Sequence, residues 1–148
     1  LKRRHNGVLV VGVLLVLATA IGVLAYWRFT VSEGYLRLDL DQVYADGSRL
    51  SVEQCVDETL RWGGHCKAMK SLCDASAPRI MHACLMARDR RATCEELGDS
   101  IRDTHFGFKE CKARGVTRKN KKTCASAYRA IAGHCTHLAE NRGKGSQP

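Results

Sequence analysis

The sequence predicts an all-α protein: one N-terminal transmembrane helix carrying a disulfide-stapled domain of about four helices, arranged as two antiparallel hairpins. Three observations predict it. The twenty residues from Val8 to Trp27 carry no charge and are mostly Val, Leu, Ala and Gly. All eight cysteines lie after that run. Three cysteine pairs, Cys55 with Cys66, Cys73 with Cys84 and Cys124 with Cys135, each enclose ten residues. Eleven positions on an α-helix is close to a whole number of turns, since each residue advances about 100°. Both sulfurs of a pair then lie on one stripe of one helix, and two such helices laid antiparallel are joined by two rungs.

Residues 1–28 read as a basic flank and anchor. At about 1.5 Å per residue the apolar run spans about 30 Å, the thickness of a bilayer's hydrocarbon core. Lys2, Arg3 and Arg4 precede it, and Tyr26, Trp27 and Arg28 close it as an interfacial belt would. A cleaved signal peptide is the rival reading, because Ala18-Thr19-Ala20 has the small-x-small pattern. The apolar run continues seven residues past Ala20, and that length favours a retained anchor. The positive-inside rule puts residues 2–4 in the cytoplasm and the remainder outside. The cysteines then sit where disulfides form. A bacterial inner membrane with a periplasmic domain is the first expectation. A mitochondrial inner membrane facing the intermembrane space is the alternative. Gly12 and Gly22 are not four apart, so only Ala18 with Gly22 offers a small-x-x-x-small contact.

The net charge is +9. Without Lys2, Arg3, Arg4 and Arg28, 20 of the 24 basic residues face 15 acidic ones, a modest excess of +5. That balance does not imply nucleic acid. The run Lys112, Arg114, Arg118, Lys119, Lys121 and Lys122 reads first as a solvated loop and helix start, and otherwise as a contact for an anionic surface.

Residues 29–50 read as an extended linker. Leu36, Leu38 and Leu40 alternate with Arg37, Asp39 and Asp41, the period of a strand or of a strip lying on a partner. Asp46-Gly47 is a turn signal. Asp39-x-Asp41 lacks the further ligands and glycine of a calcium loop.

Residues 51–139 form the cysteine-rich domain. Ser51-Val52-Glu53-Gln54 is a capping box opening a helix over about 52–70, weakened at Gly63-Gly64. Asp74 to Pro78 reads as the turn before a second helix over about 77–89, since proline suits a first helical turn. Arg88 to Arg91 lies at its end, where cations suit the dipole. A third helix is expected over about 92–104, interrupted by His105-Phe106-Gly107-Phe108. Gly115 to Asn120 is a loop, and a fourth helix covers about 121–139. Residues 140–148 are a polar tail. Gly64-His65-Cys66 and Gly133-His134-Cys135 echo one another and suggest one similar hairpin in each half.

Eight cysteines allow on the order of a hundred pairings. In an antiparallel hairpin with a six-residue spacer, Cys66 faces Cys73 and Cys55 faces Cys84. The nested analogue in the second half is Cys111 with Cys124 and Cys94 with Cys135. There the steps differ, at 17 positions from Cys94 to Cys111 against 11 from Cys124 to Cys135. The surplus amounts to about 9 Å of helix. A break at Phe106-Gly107-Phe108 would absorb it, while exchanged pairings such as Cys84 with Cys94 stay open.

The paired spacing resembles the twin-cysteine hairpins of coiled-coil-helix–coiled-coil-helix proteins, which usually enclose nine residues where this chain encloses ten. The stretch Cys66-x6-Cys73-x10-Cys84-Leu85-x8-Cys94 is similar to the cysteine-rich repeat of Golgi-type sialoglycoproteins. Both resemblances imply stapled helices and no enzymatic activity. Staples suit a chain with three Phe and two Trp, since each native disulfide contributes about 2–4 kcal/mol.

No catalytic constellation and no cofactor signature is legible. There is no Cys-x-x-Cys for a zinc ribbon, thioredoxin chemistry or haem attachment. His134 and His137, one turn apart beside Cys135, are weak metal candidates. The expected role is non-enzymatic: an accessory subunit whose partners are the bilayer and integral membrane proteins, bracing their outer face with Leu36, Leu38 and Leu40. The alternatives are a membrane-tethered carrier of a metal or ligand, and a tether to the cell envelope or a secretion machine.

Overall fold

The computed structural model describes residues 2–118 and 120–144. These residues fold into six α-helices without a strand: α1 Lys2–Gly47, α2 Val52–His65, α3 Lys70–Met86, α4 Arg91–Leu97, α5 Phe108–Ala113 and α6 Lys121–Lys144. One 3-10 turn, Gly98–Arg102, follows α4.

The long α1 replaces the extended linker expected at 29–50. Its 46 residues measure about 70 Å. Side chains from Leu9 to Val31 are exposed, and the first buried residue is Ser32. Beyond it Leu36, Val43 and Gly47 are buried, with Asp39 and Leu40 half-buried. Those spacings trace one helical stripe, and it packs on α3. The alternation of Leu36, Leu38 and Leu40 therefore does not signal a strand here. Extending a helix already formed is easier than starting a new element, and no proline interrupts the chain between Trp27 and Asp46. The apolar part of α1, of mean hydropathy 2.6, is long and apolar enough to cross a membrane, a test that an N-terminal signal sequence also passes.

The capping box opens α2: Gln54 N–H donates to Ser51 Oγ at 3.2 Å, and Ser51 N–H donates to Gln54 Oε1 at 2.7 Å. Val52, Cys55, Val56, Thr59 and Trp62 form its buried face. The helix ends at His65, earlier than the expected 70, because Cys66 turns extended to close the short loop stapled by Cys66–Cys73. Trp62 Nε1 donates to Asp39 Oδ2 at 2.7 Å, and Met69 N–H donates to Ser32 Oγ at 3.2 Å. The lower end of α2 thus rests on α1 just above the apolar run.

The turn expected at Asp74–Pro78 is instead the interior of α3, which holds Pro78 within it. Cys73, Ser76, Ala77, Ile80, Met81, Cys84 and Leu85 are buried across the proline. This continuous stripe faces α1, α2 and α6. Its burial outweighs the one backbone hydrogen bond that proline removes.

Arg90 closes this half. Its guanidinium donates to the carbonyls of Leu50 at 2.8 Å, Gly47 at 2.9 Å and Cys84 at 3.3 Å. Two of these belong to the last turns of α1 and α3, where carbonyls lack helical partners and cations are favoured. Only 2% of the residue is exposed, so it is an internal clasp rather than the solvated cation expected at a helix end. Burial, with Arg88 beside it, pulls Arg90 down from the ordinary guanidinium value. Gly47 lets the two helix ends meet, since a Cβ there would lie 2.8 Å from the Cys84 carbonyl oxygen and 2.9 Å from its Cα.

The last helix, α6, runs five residues beyond the expected end at 139. Arg142 pairs with Glu95 at 2.6 Å, so the first part of the supposed tail is helical and held. Residues 145–148 of that tail lie outside the described residues.

Candidate functional site

The four disulfides of the structure form two nested ladders. Cys55–Cys84 and Cys66–Cys73 join α2 to α3. Cys94–Cys135 and Cys111–Cys124 join the segment 94–111 to α6. The first ladder has 11 positions on each rail, and the second has 17 against 11. In the first, Cys55, Val56, Thr59, Ile80, Met81 and Cys84 are fully buried between the helices. In the second, the longer rail has no buried residue within α4, the 3-10 turn or α5.

The surplus is taken up by two glycine bends. Gly98, at φ 49°, ends α4. Gly107, at φ 82°, precedes α5, and a Cβ there would meet the Tyr128 Cβ at 2.4 Å. Both the left-handed backbone and the contact with Tyr128 require glycine at 107. Phe106 then stands edge-on to Tyr128, with ring centroids 5.6 Å apart.

The long rail touches α6 where Phe106 and Gly107 meet Tyr128, and beside that contact it stands off the Ala125, Arg129 and Ala132 face and leaves a cavity of about 950 Å³. The bowed rail contributes Ile101, Phe106 and Phe108, the loop after α5 contributes Val116, and α6 contributes Ala125 and Ala132. Lys112, Lys121 and Arg129 also line it, and all three are exposed to solvent. None of them makes an ion pair among the described residues. The lining carboxylate, Asp103, accepts from the His105 N–H at 2.9 Å. That bond and the His105 ring hold its carboxyl below the usual range. The 17-against-11 steps were the sequence signal for this cavity. Its lining residues carried none individually, because they belong to no motif.

The basic run divides in space. Arg114 turns inward and pairs with Glu53 and Asp57, one turn apart on α2. The Tyr128 hydroxyl donates to the same Glu53 at 3.1 Å. Burial raises the Tyr128 hydroxyl above its ordinary value, with Glu53 adding to the rise and Arg114 opposing it. Arg114 is thus removed from the anionic-surface set and fastens the α5–α6 turn to α2. Lys112, Arg118, Lys121 and Lys122 remain exposed, and Lys119 lies outside the described residues.

The histidines are divided as well. His134 is 8% exposed and faces the α3 seam, with its ring 5.9 Å from that of His82. Burial, then His82, Arg90 and His137, pulls its pKa down, and Asp89 opposes them. His137 is exposed beside Asn141, 3.2 Å from Nδ1. Among the described residues no three His, Cys, Asp or Glu are arranged to hold a metal ion. The part played by His82 was not legible in the sequence, because it comes from another helix.

The leucine strip separates too. Leu36 is 1% exposed and Leu40 packs against the same core, so α3 occupies the place given to a partner. Leu38 points away and is 68% exposed. It lines a groove with Tyr35 and Trp62 between α1 and α2.

Comparison with protein-family models, curated proteins and solved structures returns no match. The resemblances to twin-cysteine hairpins and to the sialoglycoprotein repeat therefore rest on cysteine spacing alone.

Proposed function

We propose that the chain is a single-pass accessory subunit that holds a rigid helical head against partners on the outer face of a membrane. The observation that carries this reading is the unbroken α1. One helix supplies both the apolar run and the core residues Ser32, Leu36 and Val43, so the head has no hinge between itself and the anchor. A flexible tether would suit a domain that searches for its ligand, whereas a continuous helix suits one held in place. The exposed stripe Val31, Tyr35 and Leu38 prolongs the apolar surface upward from the run, in position for a neighbouring membrane helix. The basic flank of residues 2–4 favours a cytoplasmic N-terminus. Four disulfides favour an oxidising compartment for the head. A bacterial inner membrane with a periplasmic head is the first assignment, and the mitochondrial intermembrane space is the second. All eight cysteines are paired in disulfides, which suits a bracing role.

A tethered ligand carrier is the second reading, and the cavity beside α6 is what favours it.

Gentle detergent extraction of the native protein, size separation and mass spectrometry of what co-migrates test the first reading. Co-migration with a larger membrane assembly in fixed ratio is expected. Migration as a monomer or small homo-oligomer overturns it.

A further inference from the structure

The cavity beside α6 has a directional chemistry. Lys121, Ala125, Arg129 and Ala132 lie along one face of α6, giving a slot about 16 Å long. The opposite wall is mainly apolar, with Ile101, Phe106 and Phe108 from the bow and Val116 from the loop after α5, and Asp103, bonded to the His105 N–H, stands among them. Phe108 is 64% exposed, an aromatic ring at the mouth. A soluble anion would meet the lysines and leave that wall wet. A neutral apolar molecule would fill the slot and make no use of the cations on its rim. A molecule with an apolar tail and one anionic head satisfies both.

The slot also lies toward the membrane. Thr123 of α6 stands against Gly63 of α2, at 3.2 Å from a built Cβ. The end of α2 is in turn tied to α1 near Ser32 and Asp39. The half of α6 that lines the cavity is therefore the half nearer the apolar run.

We propose that this cavity holds the acyl chain of a long-chain fatty acid along the α6 slot, with the carboxylate on Arg129. The site does not depend on the subunit reading, because its ligand comes from the bilayer rather than from a protein partner.

The full chain, reconstituted in nanodiscs of zwitterionic lipid, is exposed to a long-chain fatty acid carrying a diazirine on its chain, irradiated and mapped by mass spectrometry. Labels are expected on peptides spanning 98–116 and 121–132. Unmodified fatty acid should compete at a concentration about tenfold lower than its methyl ester, as a charge-assisted contact requires. Ala132→Trp should fill the slot and abolish labelling. Arg129→Glu, at an exposed position, should weaken competition by about tenfold without disturbing the helices. Labels confined to residues 9–31 would mean partition into the bilayer and would overturn the proposal. Equal competition by the methyl ester would overturn it too.

Discussion

The two hairpins use the same covalent device and reach opposite results. Between α2 and α3 the rungs are equally spaced on both rails, and the space between them is filled by Val56, Thr59, Ile80 and Met81. Between the 94–111 segment and α6 the rails differ by six positions, and beside the Phe106–Tyr128 contact a cavity remains. A disulfide fixes only the ends of a segment. Whether the middle packs depends on the two lengths agreeing. Equal lengths permit ridge-to-groove burial along the whole stretch, while unequal lengths force one rail to bow.

The largest effect expected from this contrast comes from cutting one rung of each ladder, the outer rung of the packed hairpin and the inner rung of the bowed one. Cys55→Ser with Cys84→Ser removes a bond whose sulfurs are fully buried in the packed hairpin, beside Arg90. A loss of about 4 kcal/mol is expected in thermal or chemical unfolding. Cys111→Ser with Cys124→Ser frees the bow and should cost about 2 kcal/mol. It should raise hydrogen exchange chiefly in 98–116. Equal losses for the two pairs would remove the distinction between packed and bowed halves.

A smaller effect is expected at the bend that shapes the bow. Gly107→Ala puts a Cβ into Tyr128 on a left-handed backbone, and a loss of about 1–3 kcal/mol follows. Gly98→Ala meets nothing within 4 Å, so only its positive φ opposes the change. A cost of about 1–3 kcal/mol is expected there too, because φ 49° with ψ −131° is a conformation that residues with a side chain rarely adopt. Tyr128→Ala in the Gly107→Ala background, read from urea midpoints, should recover the part of the loss that the clash causes.

The smallest effect concerns the seam between the halves. The folded pKa of His134 lies below its unfolded value, so the unfolded chain binds the extra proton first as pH falls. The stabilising effect of its neutral form is fully present above about 6.5 and is lost as pH drops through that value toward the folded pKa. Urea midpoints should fall between pH 7.5 and 5.5, and His134→Gln should flatten that slope. His82 and His137 also face this seam, with Arg90 and Asp89 beyond them. A slope that survives His134→Gln would show that His134 is not its source.

Much of the architecture was legible because it depends on spacing. The apolar run, the capping box at Ser51 and the nested rungs all follow from local periodicity. The strip 29–47 was misread because its alternating leucines fit a strand as well as two faces of a helix. Only the buried stripe through Ser32, Leu36 and Val43 decides between them. Pro78 misled for a similar reason, since the burial that carries α3 through it comes from three other helices. Among site residues the histidine at 134 and the basic run were found, but their division between core and solvent was not. Arg114 and Lys112 look alike in sequence, and what separates them is Glu53 and Asp57, about 60 residues away.

The continuity of α1 has a rotational consequence. Each residue added or removed between Arg28 and Ser32 turns the head about the α1 axis by about 100° relative to the apolar run and shifts it along that axis by about 1.5 Å. The compass bearing of the head is thus written in the residue count of one short stretch. A single deletion there would leave the buried contacts of the head in place and present a different azimuth to every neighbour of the run.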